Sequence, residues 1–222
     1  MKNLALPGAR VSACRLPAMR AESGGDWCEA FELPGGRIAL SIGDVRGHDF
    51  SATLPMARVR AAIRRDGAAM TPGAALASVN RELCAAGGPL RHVTAILAHV
   101  DLIGSRVQFA SAGHPQPLLA GDEAVTVLGS PHGDLPLGVE RNAAFAVHEA
   151  VMTPGMLLVL FTDGVVERRD TSVFGEAQLV NAVRGAQRSP RDPAEYIAYA
   201  LGLKERTEDD ATLIALRMLQ GA

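Results

Sequence analysis

The apolar positions follow two rhythms along the first half of the chain. Over residues 37–42 they recur at every second position, with Ile38, Leu40 and Ile42 on one side and Ala39 and Ser41 on the other. That is the period of a half-buried strand. Residues 9–16 alternate in the same way, and residues 27–33 read as a third strand. Leu33-Pro34-Gly35-Gly36, between the last two, is a hairpin signal. From residue 51 to 65 the rhythm lengthens: Leu54, Ala57, Ala61 and Ile63, with Met56 and Val59, suit a helix. Pro55 is tolerable there in the first turn, where its missing N–H costs nothing. Thr71-Pro72 reads as a cap and first-turn proline opening a second helix through Leu76, Val79 and Leu83, with Gly87-Gly88-Pro89 as its stop.

Strand rhythm then returns. Residues 92–100 and 106–112 are expected strands joined by a turn, Pro115 and Pro117 break the chain, and residues 124–128 form a short strand. A loop rich in Gly and Pro covers 129–138. Residues 145–149 alternate, 156–161 is a continuous apolar strand, two helices lie around 176–183 and 193–201, and 211–218 is strand-like again. The order is strands, two helices, strands, two helices, one strand. It lacks the βαβ alternation of a doubly wound parallel sheet. The expectation is an α+β fold of antiparallel sheets flanked by helices. No repeat, low-complexity tract or linker divides it, so residues 1–222 are expected to form a single domain.

The hairpin has a geometric consequence. Asp26 begins one of its strands and Asp44 ends the other, so antiparallel pairing puts both carboxylates at the same end of the sheet. Asp163 in Thr162-Asp163-Gly164 and Asp209 in Glu208-Asp209-Asp210 are also acidic strand ends with small or turn-forming neighbours. Taken singly, each is accounted for by turn chemistry. Four together point to a site. A carboxylate set without sulfur and poor in histidine suits hard cations, Mg²⁺ or Mn²⁺. Two such ions about 3.5–4 Å apart can share a carboxylate and activate a water between them.

Composition narrows the class. The 222 residues are 48% hydrophobic and 21% charged, which is globular, and the net charge of -2 with no basic block gives no nucleic-acid surface. Six Phe, two Tyr and one Trp are too few for a base-stacking platform. Cys14, Cys28 and Cys84 are scattered with no C-x-x-C and read as reduced thiols. Val11-Ser12-Ala13-Cys14 has the look of a lipoprotein cleavage site, but Pro7, Gly8 and Arg10 spoil the apolar stretch such a signal needs. No apolar run approaches the ~20 residues that span a bilayer. A cytoplasmic location, away from membranes, is expected. P-loop lysine, His-Glu-x-x-His and Gly-x-Ser-x-Gly motifs are absent.

Six segments in order carry a family likeness: GGDW at 24–27, GDVRGHD at 43–49, SAGHPQP at 111–117, LPLGV at 135–139, LFTDGVVE at 160–167 and DDATLIALR at 209–217. Together they resemble the metal-dependent serine/threonine protein phosphatases (PPM, protein phosphatase 2C-like), in particular the bacterial SpoIIE-type branch. The resemblance spans nearly the whole chain from about residue 9. It implies a β-sandwich with helices on both outer faces and two Mn²⁺ or Mg²⁺ ions at one end. By position, Asp44 resembles the carboxylate bridging both ions, Val45 offers a backbone carbonyl, and Asp26 serves the second ion. Asp163 and Asp209 match ligands of the first, and Asp210 stands just behind them. His48 is the histidine nearest a proposed ligand, open to a general-acid role or to a structural hydrogen bond in the turn. His114 reads as structural.

Two departures from the family pattern stand out. Glu29 occupies a place where relatives often have Asp, and Asp49 one where glycine is common; Asp49 reads as a helix cap. Arg168 and Arg169 read as a solvated loop. The resemblance implies hydrolysis of phosphoserine or phosphothreonine without a phosphoenzyme. Its implied substrate is a phosphorylated STAS-domain anti-anti-sigma factor, with regulation from a partner, from a homodimer or from the two helices between residues 51 and 86. The alternatives are a catalytically weak partner-binding module of the same fold and a phosphatase of small phosphoesters.

Overall fold

Two antiparallel sheets stack face to face, and a pair of helices covers the outer surface of each. The computed structural model describes residues 4–6, 8–17, 25–45, 50–86, 93–130, 134–166, 175–203 and 210–219. Its strands are β1 (Leu4–Leu6), β2 (Ala9–Leu16), β3 (Trp27–Leu33), β4 (Arg37–Val45), β5 (Val93–Asp101), β6 (Arg106–Ala112), β7 (Leu118–Ala120), β8 (Val125–Val127), β9 (His148–Val151), β10 (Leu157–Phe161) and β11 (Ala211–Met218). The helices are α1 (Phe50–Gly67), α2 (Pro72–Ala85), α3 (Gly175–Arg188) and α4 (Pro193–Ala200). One sheet runs β1-β2-β11-β10-β7-β8 and the other β3-β4-β5-β6-β9. This is the expected α+β sandwich with helices on both faces.

Period two explains the layering. Ile38, Leu40 and Ile42 of β4 point into the core between the sheets, beside Val11, Phe109, Leu160 and Ile214. Ala39 and Val45 of the same strand point outward to Val59 and Ile63 of α1 and Leu76 and Val79 of α2. The second sheet repeats this toward α3 and α4, with Val159 and Leu213 against Val183 and Ile197. Because both faces of the central strands are buried, β5 and β10 read as near-continuous apolar runs.

Several elements differ from expectation for local reasons. β4 runs to Val45 and not to Ile42, because Gly43, Asp44 and Val45 keep pairing with Ala95, Thr94 and Val93 of β5. Asp44 therefore lies within a strand, one residue before its end. β7 was not expected: three residues beside Pro117 give no period, and its pairing with Leu157–Val159 of β10 makes it a strand. The alternating stretch 145–149 becomes β9 later, at His148–Val151, where it pairs with β6. Phe145 instead packs into the layer beneath α2. Helix α3 extends to Arg188. Thr71 has extended dihedrals before α2 but makes no side-chain cap hydrogen bond, whereas Asp192 caps α4 by accepting from Glu195 N at 3.0 Å. The Gly87-Gly88-Pro89 stop lies outside the described residues. Among the described residues no helix is long and apolar enough to cross a membrane.

The β3–β4 pairing sets Trp27 opposite Gly43. A Cβ on Gly43 would collide with the Trp27 ring and the Thr94 carbonyl oxygen. Gly43→Ala is therefore expected to destabilise the fold by about 1–3 kcal/mol through overpacking. Because Trp27 is the single tryptophan and is fully buried, its emission should shift to the red in the variant. Unchanged emission and an unchanged denaturation midpoint would contradict this packing.

Candidate active site

The rows of side chains facing the inter-sheet core change character at one end of the sandwich. On β2 the inward row Ala9, Val11, Ala13 continues to Arg15; on β4, Ile38, Leu40, Ile42 continues to Asp44. The same continuation gives Asp26 before β3, Thr94 on β5, Ser111 on β6, Thr162 after β10 and Thr212 on β11. Register places these together. Arg15 pairs with Thr212 and Asp44 with Thr94, while Trp27 opposite Gly43 sets Asp26 beside Asp44. A polar layer closes one end of the apolar core.

Asp26 is its most enclosed charged member, with 2% of its surface exposed. Thr162 Oγ1 donates to Asp26 Oδ2 at 2.8 Å, a bond between the two sheets. Thr162 is itself locked, since its Oγ1 accepts from Thr212 N at 3.0 Å and its N–H donates to Thr212 O at 2.9 Å. Arg15 Nη2 donates to the Asp26 carbonyl oxygen at 2.7 Å. Next to Asp26, a Cβ on Gly25 would collide with the Val45 carbonyl oxygen and lie 2.7 Å from Asp44 Oδ1. Only glycine lets the backbone approach that carboxylate so closely.

Burial pushes the Asp26 carboxyl from 3.8 up to about 8. Hydrogen bonds from Thr212 and Thr162 oppose the rise, and the charges of Asp44 and Asp210 add to it. The Asp26 carboxyl thus lies in the field of two further carboxyl groups, and a cation bound at this end would favour its ionised form. That chemistry fits a hard divalent ion. Among the described residues no three acidic, His or Cys side chains already converge as a finished ion cage.

The remaining expected residues distribute as follows. Asp163 opens a short 3-10 turn after β10, and its Oδ1 accepts from Gly164 N at 2.9 Å. Asp210, 7% exposed, enters β11 with its carbonyl oxygen against Gly164, where a Cβ would collide with it. Val45 is fully buried, and its N–H donates to Gly25 O at 3.2 Å. His48, Asp49, Arg168, Arg169 and Asp209 lie outside the described residues. Glu29 faces the helix layer, bonded by Arg64 of α1 with Arg60 at 3.8 Å, so it adds no carboxylate to this end.

His114 is 5% exposed, its Nδ1 lies 2.9 Å from Thr94 Oγ1, and burial pushes its pKa down to about 3. Burial thus holds its ring neutral. Arg15 was missed by sequence reasoning; the signal was a charged residue following Ala9, Val11 and Ala13 in the inward row.

A folded-state pKa raised from 3.8 to about 8 has a definite sign. Between those values the folded chain holds a proton that the unfolded chain has lost. The stability this group contributes is complete below pH 4 and is lost as pH rises through 8. His114 acts in the opposite sense at lower pH, so the informative quantity is a difference. Asp26→Asn is expected to become progressively more stable relative to the wild type, in chelator, as pH rises from 4 to 8. Parallel melting curves for the two proteins across that range would contradict the buried acid.

The model of the Stage II sporulation protein E (SpoIIE) family matches residues 34–219. The phosphoserine phosphatase RsbP of Bacillus subtilis (strain 168) is 28% identical over 158 residues, 66% of this chain and 38% of that protein. The structure of the RsbU and RsbW domains of Rv1364c from Mycobacterium tuberculosis aligns with 97% of this chain and 62% of its own, at 30% identity and a TM-score of 0.84. The PP2C phosphatase domain of SpoIIE from Bacillus subtilis, with a fragment of its regulatory domain, aligns with 96% of this chain and 64% of its own, at 19% identity and a TM-score of 0.81. The chain thus spans well under two thirds of RsbP and just under two thirds of the mycobacterial structure. With the PP2C-type sandwich, its acidic end and a family match over most of its length, the chain belongs to the SpoIIE family.

Proposed function

We propose that this chain is a metal-dependent phosphatase that removes phosphate from phosphoserine or phosphothreonine on a partner protein. The observation that carries the reading is the buried Asp26 carboxyl, facing the charges of Asp44 and Asp210 in the polar layer that closes the apolar core. Asp26, Asp44, the Val45 carbonyl, Asp163 and Asp209 would hold two Mn²⁺ or Mg²⁺ ions, with Asp210 beside them. When bound, such ions neutralise phosphoryl charge and lower the pKa of water.

The chain's own groups supply the rest. Thr162 holds Asp26 in place, so the carboxylate is pre-oriented. Arg15 donates by Nη2 to the Asp26 carbonyl and is exposed, and among the described residues its other N–H groups can turn to phosphoryl oxygens. His48, the histidine nearest a proposed ligand in sequence, is the candidate proton donor to the leaving seryl oxygen, the alternative being a structural hydrogen bond in its turn. No Ser or Cys nucleophile is required, and Cys28 is held as a thiol by burial, its pKa pushed up to about 11.

RsbP bears the name of a phosphoserine phosphatase, and the mycobacterial relative joins RsbU and RsbW domains in one chain. The name of RsbP supports phosphoserine as the group hydrolysed. The specific substrate proposed is a phosphorylated STAS-domain anti-anti-sigma factor.

Asp44→Asn is expected to abolish Mn²⁺-dependent release of phosphate from such a protein while leaving the melting temperature near that of the wild type. Full turnover in the variant would refute the ligand assignment. Arg15→Ala should raise KM for the phosphoprotein by roughly 10–100-fold, the scale of a lost charge-assisted hydrogen bond. An unchanged KM would remove Arg15 from the substrate site. Turnover of p-nitrophenyl phosphate but not of the phosphoprotein would favour the small-phosphoester alternative. Turnover of neither in Mn²⁺ would leave the binding module.

A further inference from the structure

Asn80 lies in the middle of α2, fully buried between apolar neighbours such as Leu76 and Val79. A buried amide is costly unless its donors and acceptor are used. Here all are used, on a segment some sixty residues further along. Asn80 Oδ1 accepts from Gly138 N at 2.8 Å, and Nδ2 donates to Glu140 O at 2.7 Å and Arg141 O at 3.2 Å. No other side chain of similar size offers one acceptor and two donors; aspartate would set an oxygen against the two carbonyls.

The clamped loop does not stop at α2. Leu137 is fully buried and bridges β5, donating its N–H to Val93 O at 2.9 Å and accepting from Val93 N at 3.5 Å. Val93 is the register partner of Val45, and Thr94 that of Asp44. Pro136 packs where a Cβ on Gly113 would stand, 2.7 Å from its Cγ; Gly113 has a φ of +64° and precedes His114, which is bonded to Thr94. The loop therefore braces the ends of β5 and β6 at the acidic end of the sandwich; Leu137 packs it into the apolar layer beneath α2, and Asn80 supplies the side-chain hydrogen bonds that tie it to that helix.

We propose that Asn80 is a positioning residue for the ion-binding end: by clamping the 137–141 loop to α2 it fixes, through the Leu137–Val93 bridge, the β4–β5 ladder that presents Asp44 and Val45. The inference rests on the reading of those two residues as ion ligands. Asn80 touches neither ion nor substrate; it acts through backbone.

The test compares Asn80→Asp and Asn80→Ala with Val79→Ala, a buried truncation on the same helix. Each protein is followed by melting, by Mn²⁺ binding calorimetry and by amide hydrogen exchange in chelator. Asn80→Asp keeps the size and an acceptor for the Gly138 N–H, and the melting curves establish that each variant is folded. The Asn80 variants are expected to bind Mn²⁺ roughly tenfold or more weakly, a scale met when groups behind metal ligands are lost. Their amides at Val93, Leu137 and Asp44 should exchange faster. Val79→Ala should lower the melting temperature while keeping wild-type Mn²⁺ affinity and exchange at those amides. Asn80 variants with wild-type Mn²⁺ affinity, or a Val79→Ala protein weakened equally, would overturn the proposal. If the wild type itself binds no Mn²⁺, the ion reading fails on its own. Exchange at Asp44 then decides: unchanged rates overturn the mechanical link, and faster rates sustain it.

Discussion

An apolar core between two sheets has to end somewhere, and how it ends decides what this molecule can do. At one end the inward rows of seven strands or strand exits change from Ile, Leu, Val and Ala to Arg15, Asp26, Asp44, Thr94, Ser111, Thr162 and Thr212. Within that layer Asp26 is nearly sealed from water, and its ionisation is opposed by burial and by two neighbouring carboxylates. An acid in that position stays protonated at neutral pH or keeps a cation. The glycines at 25 and 164 exist at this end because backbone carbonyls of Val45 and Asp210 occupy the space of a side chain. Electrostatics and sterics thus constrain the same few residues.

The helices contribute through specific polar ties as well as through apolar burial. Arg60 and Arg64 of α1 reach Glu29 on β3, three residues from Asp26, and Arg64 also lies over the Phe31 ring at 4.9 Å. On α2, Asn80 holds the loop that braces β5. Both helices of this face are therefore connected to the strands that carry Asp26 and Asp44. Glu29 illustrates how a departure from family pattern is absorbed: strand alternation turns it away from the acidic end, and two arginines make use of it there.

Most of this architecture was legible in the sequence. Alternation over 9–16 and 37–42, the Pro34-Gly35-Gly36 turn and the proline-led helices yielded the layer order, and hairpin geometry alone put Asp26 beside Asp44. The missing parts have physical causes. β7 is three residues long and is a strand only because β10 lies beside it. Thr71 looked like a capping residue, yet its side chain makes no such bond. Asp44 looked like a strand terminus because polar residues usually end strands; pairing with Thr94 carries the ladder past it. Arg15 and Asn80 escaped notice because neither lies in a recognisable motif, and both matter through contacts distant in sequence.

Diffraction from crystals soaked in Mn²⁺, recorded at the manganese absorption edge, bears most directly on the claim that this polar layer is an ion site. The account predicts anomalous peaks within ligand distance of Asp44, flanked by Asp26 on one side and Asp163 on the other. A fully soaked crystal with no peak there, or with its strongest peak elsewhere on the molecule, would contradict it.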